Sequence, residues 1–269
     1  MTMTESLTGT HGNLRRDRRT GSRVALIVGA SRGIGLRFVE QLLNDPGYGV
    51  VYAACRTPES APDLAALQTS DSKLRILQLD VVDEATIRSA ADSVATRTGW
   101  VDMLIYCAGV LRSGDSLKPE KRLSDVHADS LMDAFRVNAF GALLVAREFE
   151  ALLKAGSRAV FAALSARVGS IDDNRRGGWY AYRSSKAALN MMVKSLAIEW
   201  GRFPRPIRCY ALHPGTVATD LTAPYRASAD PASVVSPALA ASRLLDVVNA
   251  LGRNESGGFY AYDGKPIAW

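Results

Sequence analysis

The sequence predicts a single α/β domain built as a doubly wound parallel sheet, and three observations carry that prediction. Short, continuously apolar runs alternate with stretches of helical period from Val24 to Tyr262. The first apolar run opens directly into a glycine-rich loop and a helix-period stretch, as in a βαβ unit. A chain of 269 residues that is 47% hydrophobic and 22% charged fits one large core, without linker or internal repeat.

The elements follow in order. Val24-Ala25-Leu26-Ile27-Val28 has the unbroken apolar character of a strand buried on both faces. After it, Ile34, Phe38, Val39, Leu42 and Leu43 mark one face of a helix. A strand is expected at Gly49 to Cys55, a helix around Asp63 to Thr69, and a strand at Leu74 to Leu79. Asp83 is placed to cap a helix running to Arg97. Next come a strand at Val101 to Tyr106, one long helical region from Ser130 to Ala155 and a strand at Arg158 to Leu164. A helix at Tyr182 to Trp200, a strand at Ile207 to Leu212, a helix at Ala238 to Leu251 and a strand at Gly258 to Tyr262 complete the chain. Right-handed crossovers then put helices on both faces of the sheet, and ligands bind at the carboxyl ends of its strands.

Charge and composition exclude several classes. The formal charge is +6, but Arg15, Arg16, Arg18, Arg19 and Arg23 against Glu5 and Asp17 put half of that excess in the first 23 residues. What remains lacks a basic stripe with interleaved aromatics, so no nucleic-acid partner is expected. Cys55, Cys107 and Cys209 are odd in number, far apart and set in apolar runs, which reads as reduced core thiols and a cytoplasmic protein. No apolar run approaches the ~18 residues of a membrane span, and no Cys, His or carboxylate cluster has metal-ligand spacing. Residues 1–22 are rich in Thr, Gly and Arg without an apolar stretch, so a disordered basic extension is expected ahead of a domain spanning 23–269. An organellar transit peptide is the alternative for that segment, although no amphipathic stripe supports it.

Candidate chemistry lies just after the strands. Gly29-Ala30-Ser31-Arg32-Gly33-Ile34-Gly35 permits a tight turn and aims free N–H groups of a helix N-terminus at a pyrophosphate. At the end of the second strand, Cys55-Arg56-Thr57 lacks the acid that binds an NAD ribose, and Arg56 with Arg32 suits a 2′-phosphate. NADP(H) is therefore expected in preference to NAD(H). Asp80, at the third strand tip beside Val81, is placed to accept the adenine amino group. Tyr182 and Lys186 stand four residues apart, hence on one helix face, where a cation lowers the phenol pKa toward working pH.

Gly29-x3-Gly33-x-Gly35, Asp80, Ala108-Gly109, Asn138, Tyr182-x3-Lys186 and Pro214-Gly215 together resemble the short-chain dehydrogenase/reductase family over residues 23–269. The run Gly177-Gly178-Trp179-Tyr180-Ala181-Tyr182 and the ending Tyr262 to Trp269 resemble its branch of C-factor-like proteins and sniffer-type carbonyl reductases. The resemblance implies a seven-stranded sheet of order 3-2-1-4-5-6-7 and hydride transfer between NADPH and a carbonyl or alcohol. It implies Tyr182 as proton donor, Lys186 as pKa-lowering group and ribose ligand, and Asn138 as holder of a relay water. Pro214, Gly215, Val217 and Thr219 would lie beside the nicotinamide, and Ser31, Ile34, Ala108 and Gly109 would complete the cofactor cleft. Helices Ala139 to Leu153 and Ala187 to Trp200 would pair between subunits of a homodimer or homotetramer.

Three positions depart from the family pattern. Tyr106-Cys107-Ala108-Gly109 replaces Asn-Asn-Ala-Gly, and Val28 replaces a threonine. Aligned through Gly169, the catalytic serine position holds Ala166, with Ser165 one residue earlier and Ser170 a weaker substitute. Because one residue along a strand reverses the side chain, Ser165 is the candidate only if the strand end twists. His213 is a further candidate for the cleft, Asp172 to Arg176 reads as a solvated loop, and Thr219 to Pro237 reads as a substrate lid. The rival reading is a nucleotide-binding signalling protein of the C-factor-like kind with weak turnover.

Overall fold

The computed structural model describes residues 21–114, 117–228 and 231–269. Nearly all of the basic extension expected at residues 1–22 lies outside the described residues.

In chain order the elements are β1 (Arg23–Val28), α1 (Gly33–Asn44), β2 (Tyr48–Cys55), α2 (Pro62–Ser70), β3 (Leu74–Gln78), α3 (Glu84–Arg97) and β4 (Met103–Tyr106). They continue with α4 (Ala128–Phe135), α5 (Gly141–Ala155), β5 (Val160–Leu164), α6 (Tyr180–Trp200), β6 (Arg208–His213), β7 (Thr216–Val217), β8 (Val234–Val235), α7 (Pro237–Ala250) and β9 (Gly258–Ala261). Seven strands form one sheet of order β3-β2-β1-β4-β5-β6-β9. Every pair is parallel, so the expected order 3-2-1-4-5-6-7 is met.

Strand alternation divides the core into two layers. Val24, Leu26, Val28, Leu104, Tyr106, Phe161, Ala163, Cys209 and Ala211 face α3, α5 and α6, whereas Ala25, Ile27, Met103, Ile105, Val160, Ala162, Tyr210 and Leu212 face α1 and α7. Helices therefore cover both faces, which is why these strands read as unbroken apolar runs. The register sets Val28 beside Tyr106, Tyr106 beside Ala163 and Leu164 beside Leu212, which brings the glycine loop, the β4 end, the β5 end and the β6 end into one row.

The long helix expected from Ser130 to Ala155 is interrupted. Between α4 and α5, Arg136–Phe140 forms a π turn. Tyr106 Oη donates to Val137 O at 2.6 Å within it, and Gly141 packs where a Cβ would stand 2.6 Å from Tyr106 Oη. A phenol from the sheet thus braces the turn, and such turns are frequent at functional sites. Tyr106 occupies a position where the family pattern has an amide, so a different group supplies a brace there.

Asp83 caps α3 as expected, its Oδ1 accepting from Ala85 N at 2.9 Å. The lid stretch is bounded by the β7–β8 ribbon, which pairs Thr216 with Val234 and Val217 with Val235 and holds its two ends together. Residues 229 and 230 of that stretch lie outside the described residues. Asp172 to Arg176 is exposed, as a solvated loop should be. The three cysteines are free; Cys55 and Cys209 are buried, but Cys107 is only half-buried, so the expectation of three core thiols holds for two. The β4 end at which Cys107 sits opens on the cleft. Among the described residues no helix is long and apolar enough to cross a membrane.

Candidate active site

The glycine loop is shaped by contacts that leave no room for side chains. Gly29 takes φ +85°, and a Cβ there would stand 2.7 Å from Ala108 N of the loop after β4. A Cβ on Gly35 would stand 2.2 Å from Gly29 O. The α1 N-terminus that follows has no side-chain cap and no acid in its first turn, which leaves its N–H groups available to an anion. Ser31, Arg32, Gly33 and Ile34 all keep solvent exposure on this loop.

Across the cleft, Thr219 closes on the loop: its Cγ2 would be 3.5 Å from a Cβ on Gly33. Arg32 Nη1 pairs with Asp220 Oδ2 at 3.4 Å, both side chains being mostly exposed. Arg56 is exposed just past the end of β2. Pro214, Gly215 and Val217 follow β6 on the same edge, with Gly215 at φ +80° against the Tyr262 ring. Asp80 is half-buried and accepts from Val82 N at 3.1 Å, beside the buried Val81. These groups fit a dinucleotide: a crowded glycine cradle, an uncapped helix N-terminus and arginines without a competing acid at the β2 end.

Tyr182 and Lys186 lie in the first two turns of α6, with Lys186 Nζ 5.8 Å from the Tyr182 ring centroid. Lys186 is 3% exposed and donates to Leu164 O at 2.8 Å. Burial pushes the Tyr182 phenol up to about 12 and the Lys186 ammonium down to about 8. The net direction at the phenol is thus opposite to the expectation, because burial outweighs what a neighbouring cation gives a phenolate. Desolvation dominates at both groups, since both are buried beside the sheet edge.

Gly109 keeps the space beside that ammonium open. A Cβ on it would stand 3.6 Å from Lys186 Nζ and 3.4 Å from Asn138 Oδ1. Asn138 is fully buried in the π turn and both ends of its amide are engaged. Oδ1 accepts from Val110 N at 2.8 Å, while Nδ2 donates to Val110 O at 2.8 Å and Ser185 Oγ at 3.0 Å. Ser185 in turn donates to Tyr182 O at 2.9 Å. The side chain expected to hold a relay water therefore clasps the loop after β4 to α6.

Ser165 is carried into the core. It is 4% exposed and its Oγ donates to Asn190 Oδ1 at 2.6 Å, one turn beyond Lys186 on α6. Leu164 faces α7, so the next residue faces α6 and lies beneath the lysine. Ala166, half-exposed, holds the position at the strand end. Ser170 is buried and donates to Trp269 O at 3.3 Å. His213 Nδ1 accepts from Arg167 N at 3.2 Å, and burial together with the neighbouring Arg167 lowers its pKa to about 4.

Two residues at the site have no role in the sequence reading, although the first lies in the run from Gly177 to Tyr182. Trp179, just before α6, is left-handed at φ +52° and packs its ring on Tyr182 at 6.3 Å and on Tyr225 at 5.1 Å. Glu120 is buried at the start of α6. Gly177-Gly178 before a helix was the available signal for Trp179; Glu120, a lone acid in a loop, offered none.

A family model described as short chain dehydrogenase matches residues 23–230. The chain belongs to the short-chain dehydrogenase/reductase family. It is similar to C-signal of Myxococcus xanthus, with 35% identity over 183 residues, covering 68% of this chain and all of that protein. It is similar in structure to the carbonyl reductase Sniffer of Drosophila melanogaster, with TM-score 0.82 and 30% identity, covering 93% of this chain and 100% of that one. It is likewise similar to the NADPH-bound carbonyl reductase from chicken fatty liver, with TM-score 0.83 and 32% identity over 92% and 99% of the two chains. These relatives fall in the branch that the sequence resembles.

Proposed function

We propose that this short-chain dehydrogenase/reductase is a carbonyl reductase that prefers NADP(H) and reduces small-molecule carbonyl compounds to alcohols. The observation that carries the reading is the placement of Tyr182 and Lys186 together at the carboxyl edge of the sheet, with Gly109 leaving space at the lysine. The NADPH-bound state of the chicken relative supports the cofactor class. Arg56 and Arg32, with no acid at the end of β2, support the 2′-phosphate.

When bound, the nicotinamide supplies hydride to the carbonyl carbon. Tyr182 Oη donates its proton to the carbonyl oxygen; burial keeps the phenol protonated across the working range, so the transfer depends on a cation that offsets its weak acidity. Lys186 stabilises the phenolate left behind and binds the nicotinamide ribose. Asn138 and Ser185 hold α6 against the loop after β4. Gly29, Gly33, Ile34 and Gly35 receive the pyrophosphate, Asp80 and Val81 the adenine, and Pro214, Gly215, Val217 and Thr219 the nicotinamide side. Exposed apolar side chains on α5 and α6, Leu143, Met191 and Ile198 among them, support a homodimer or homotetramer. A cytoplasmic location agrees with the free thiols.

The likeness to C-signal and the alanine at position 166 favour a second reading, a nucleotide-binding signalling protein with weak turnover. The two readings separate on stoichiometric conversion of NADPH and a carbonyl compound to NADP and alcohol, assayed beside NADH. Multiple turnovers support the reductase, and tight NADPH binding without turnover supports the signalling protein.

A further inference from the structure

We propose that Glu120 is a positioning residue for Tyr182, capping α6 from outside the helix and fixing where the phenol enters the cleft. The proposal rests on the reading of Tyr182 as proton donor. The chain reaches α6 through Gly177, Gly178 and Trp179, all left-handed, at φ 62°, 62° and 52°. Trp179 is the one non-glycine residue with positive φ among the described residues, a conformation that crowds its Cβ against the backbone and needs to be held. As N-cap it supplies no side-chain acceptor, although the first turn of a helix has N–H groups that require one.

Glu120 meets both needs. Its main-chain oxygen accepts from Trp179 N at 2.6 Å, which holds the left-handed arrival. Its carboxylate oxygens each stand 3.3 Å from Ala181 N, the residue immediately before Tyr182. Glu120 is 3% exposed, and the helix N-terminus that its carboxylate faces offsets part of the cost of burying an acid.

The position of Glu120 is itself fixed from both sides. Asn138 clasps Val110 upstream, and Asp125 Oδ2 accepts from Lys121 N at 3.2 Å and Arg122 N at 3.0 Å downstream. Between these anchors, Leu117, Pro119 and Glu120 line a small pocket together with Ala181 and Tyr182. Asn138 and Glu120 therefore pin one loop to α6 on either side of Tyr182. Glu120 takes no part in the proton transfer; it acts through the helix.

The test compares Glu120→Ala, Glu120→Asp and Glu120→Gln in the full chain, reading kcat, KM, NADPH Kd, melting temperature and amide exchange at Ala181. Glu120→Ala should lower kcat at least tenfold with NADPH Kd within about twofold of the parent, and Ala181 N–H should exchange at least tenfold faster. Glu120→Gln, which keeps an acceptor of the same reach, should restore kcat to within about threefold. Glu120→Asp, one methylene shorter, should fall below Glu120→Gln, and this pair decides the matter if Glu120→Ala does not fold. Equal kcat in Glu120→Asp and Glu120→Gln, or a Kd that rises as far as kcat falls, would overturn the positioning role. If the parent turns over no carbonyl compound, the reading of Tyr182 fails, while exchange at Ala181 still reports whether Glu120 caps the helix.

Discussion

Ser165 Oγ donates to Asn190 Oδ1 at 2.6 Å, a buried bond between the end of β5 and the α6 face that also carries Tyr182 and Lys186. Asn190 stands two turns beyond Tyr182, so this bond draws the hydroxyl toward the core and leaves Ala166 at the strand end. Ala166→Ser should therefore raise kcat. An optimised donor is worth roughly 10²–10³ in rate, and a newly placed one about tenfold. Steady-state kinetics on the variant check this.

Ser165→Ala is the complementary case. Leaving the Asn190 amide without its buried partner should cost about 1–3 kcal/mol of stability, with kcat of the folded protein little changed. Chemical denaturation and kinetics measure the two together. A hundredfold loss of kcat at unchanged stability would put Ser165 in the reacting site.

The pairing of Arg32 with Asp220 across the cleft mouth sets up the cofactor prediction. Asp220→Asn should tighten NADPH by about two- to threefold by freeing the guanidinium, an exposed pair being worth less than about 1 kcal/mol. Arg56→Ala should weaken NADPH about tenfold and NADH little, since one charge-assisted contact to phosphate is worth about 1.5 kcal/mol or more. Equal losses of both cofactors would contradict the 2′-phosphate assignment. Fluorescence titration gives each Kd.

The pH profile follows from Lys186. Its ammonium, lowered to about 8, is charged below that pH and neutral above it, whereas Tyr182, raised to about 12, stays protonated throughout. Reduction should thus hold its rate below about pH 8 and fall as pH rises through it. Lys186→Arg, whose charge persists, should flatten that limb. His213, held neutral by a pKa near 4, should add no limb around pH 6.

Much of this was legible in the sequence, for identifiable reasons. Continuous apolar runs gave the sheet because both of its faces are covered, and the Tyr182–Lys186 spacing gave the helix face because four residues make about one turn. Gly29 and Gly35 are glycine because Ala108 N and Gly29 O occupy the space of their side chains. Other features depend on contacts distant in sequence. The π turn needs Tyr106 to reach Val137, the clasp needs Asn138 to meet Val110, and the α6 cap comes from Glu120, 61 residues before Ala181. At Tyr182 the spacing shows a neighbour's charge but not the depth of burial, and burial sets the direction of its pKa.

NADPH consumption across a panel of aldehydes, ketones, dicarbonyls and quinones, run with the parent protein and Tyr182→Phe side by side, tests the proton-donor role most directly. The parent should turn over at least one class, and Tyr182→Phe should lose about 10²–10⁴ in kcat while still binding NADPH. A Tyr182→Phe variant that keeps the parent's rate would contradict the assignment of Tyr182 as the acid.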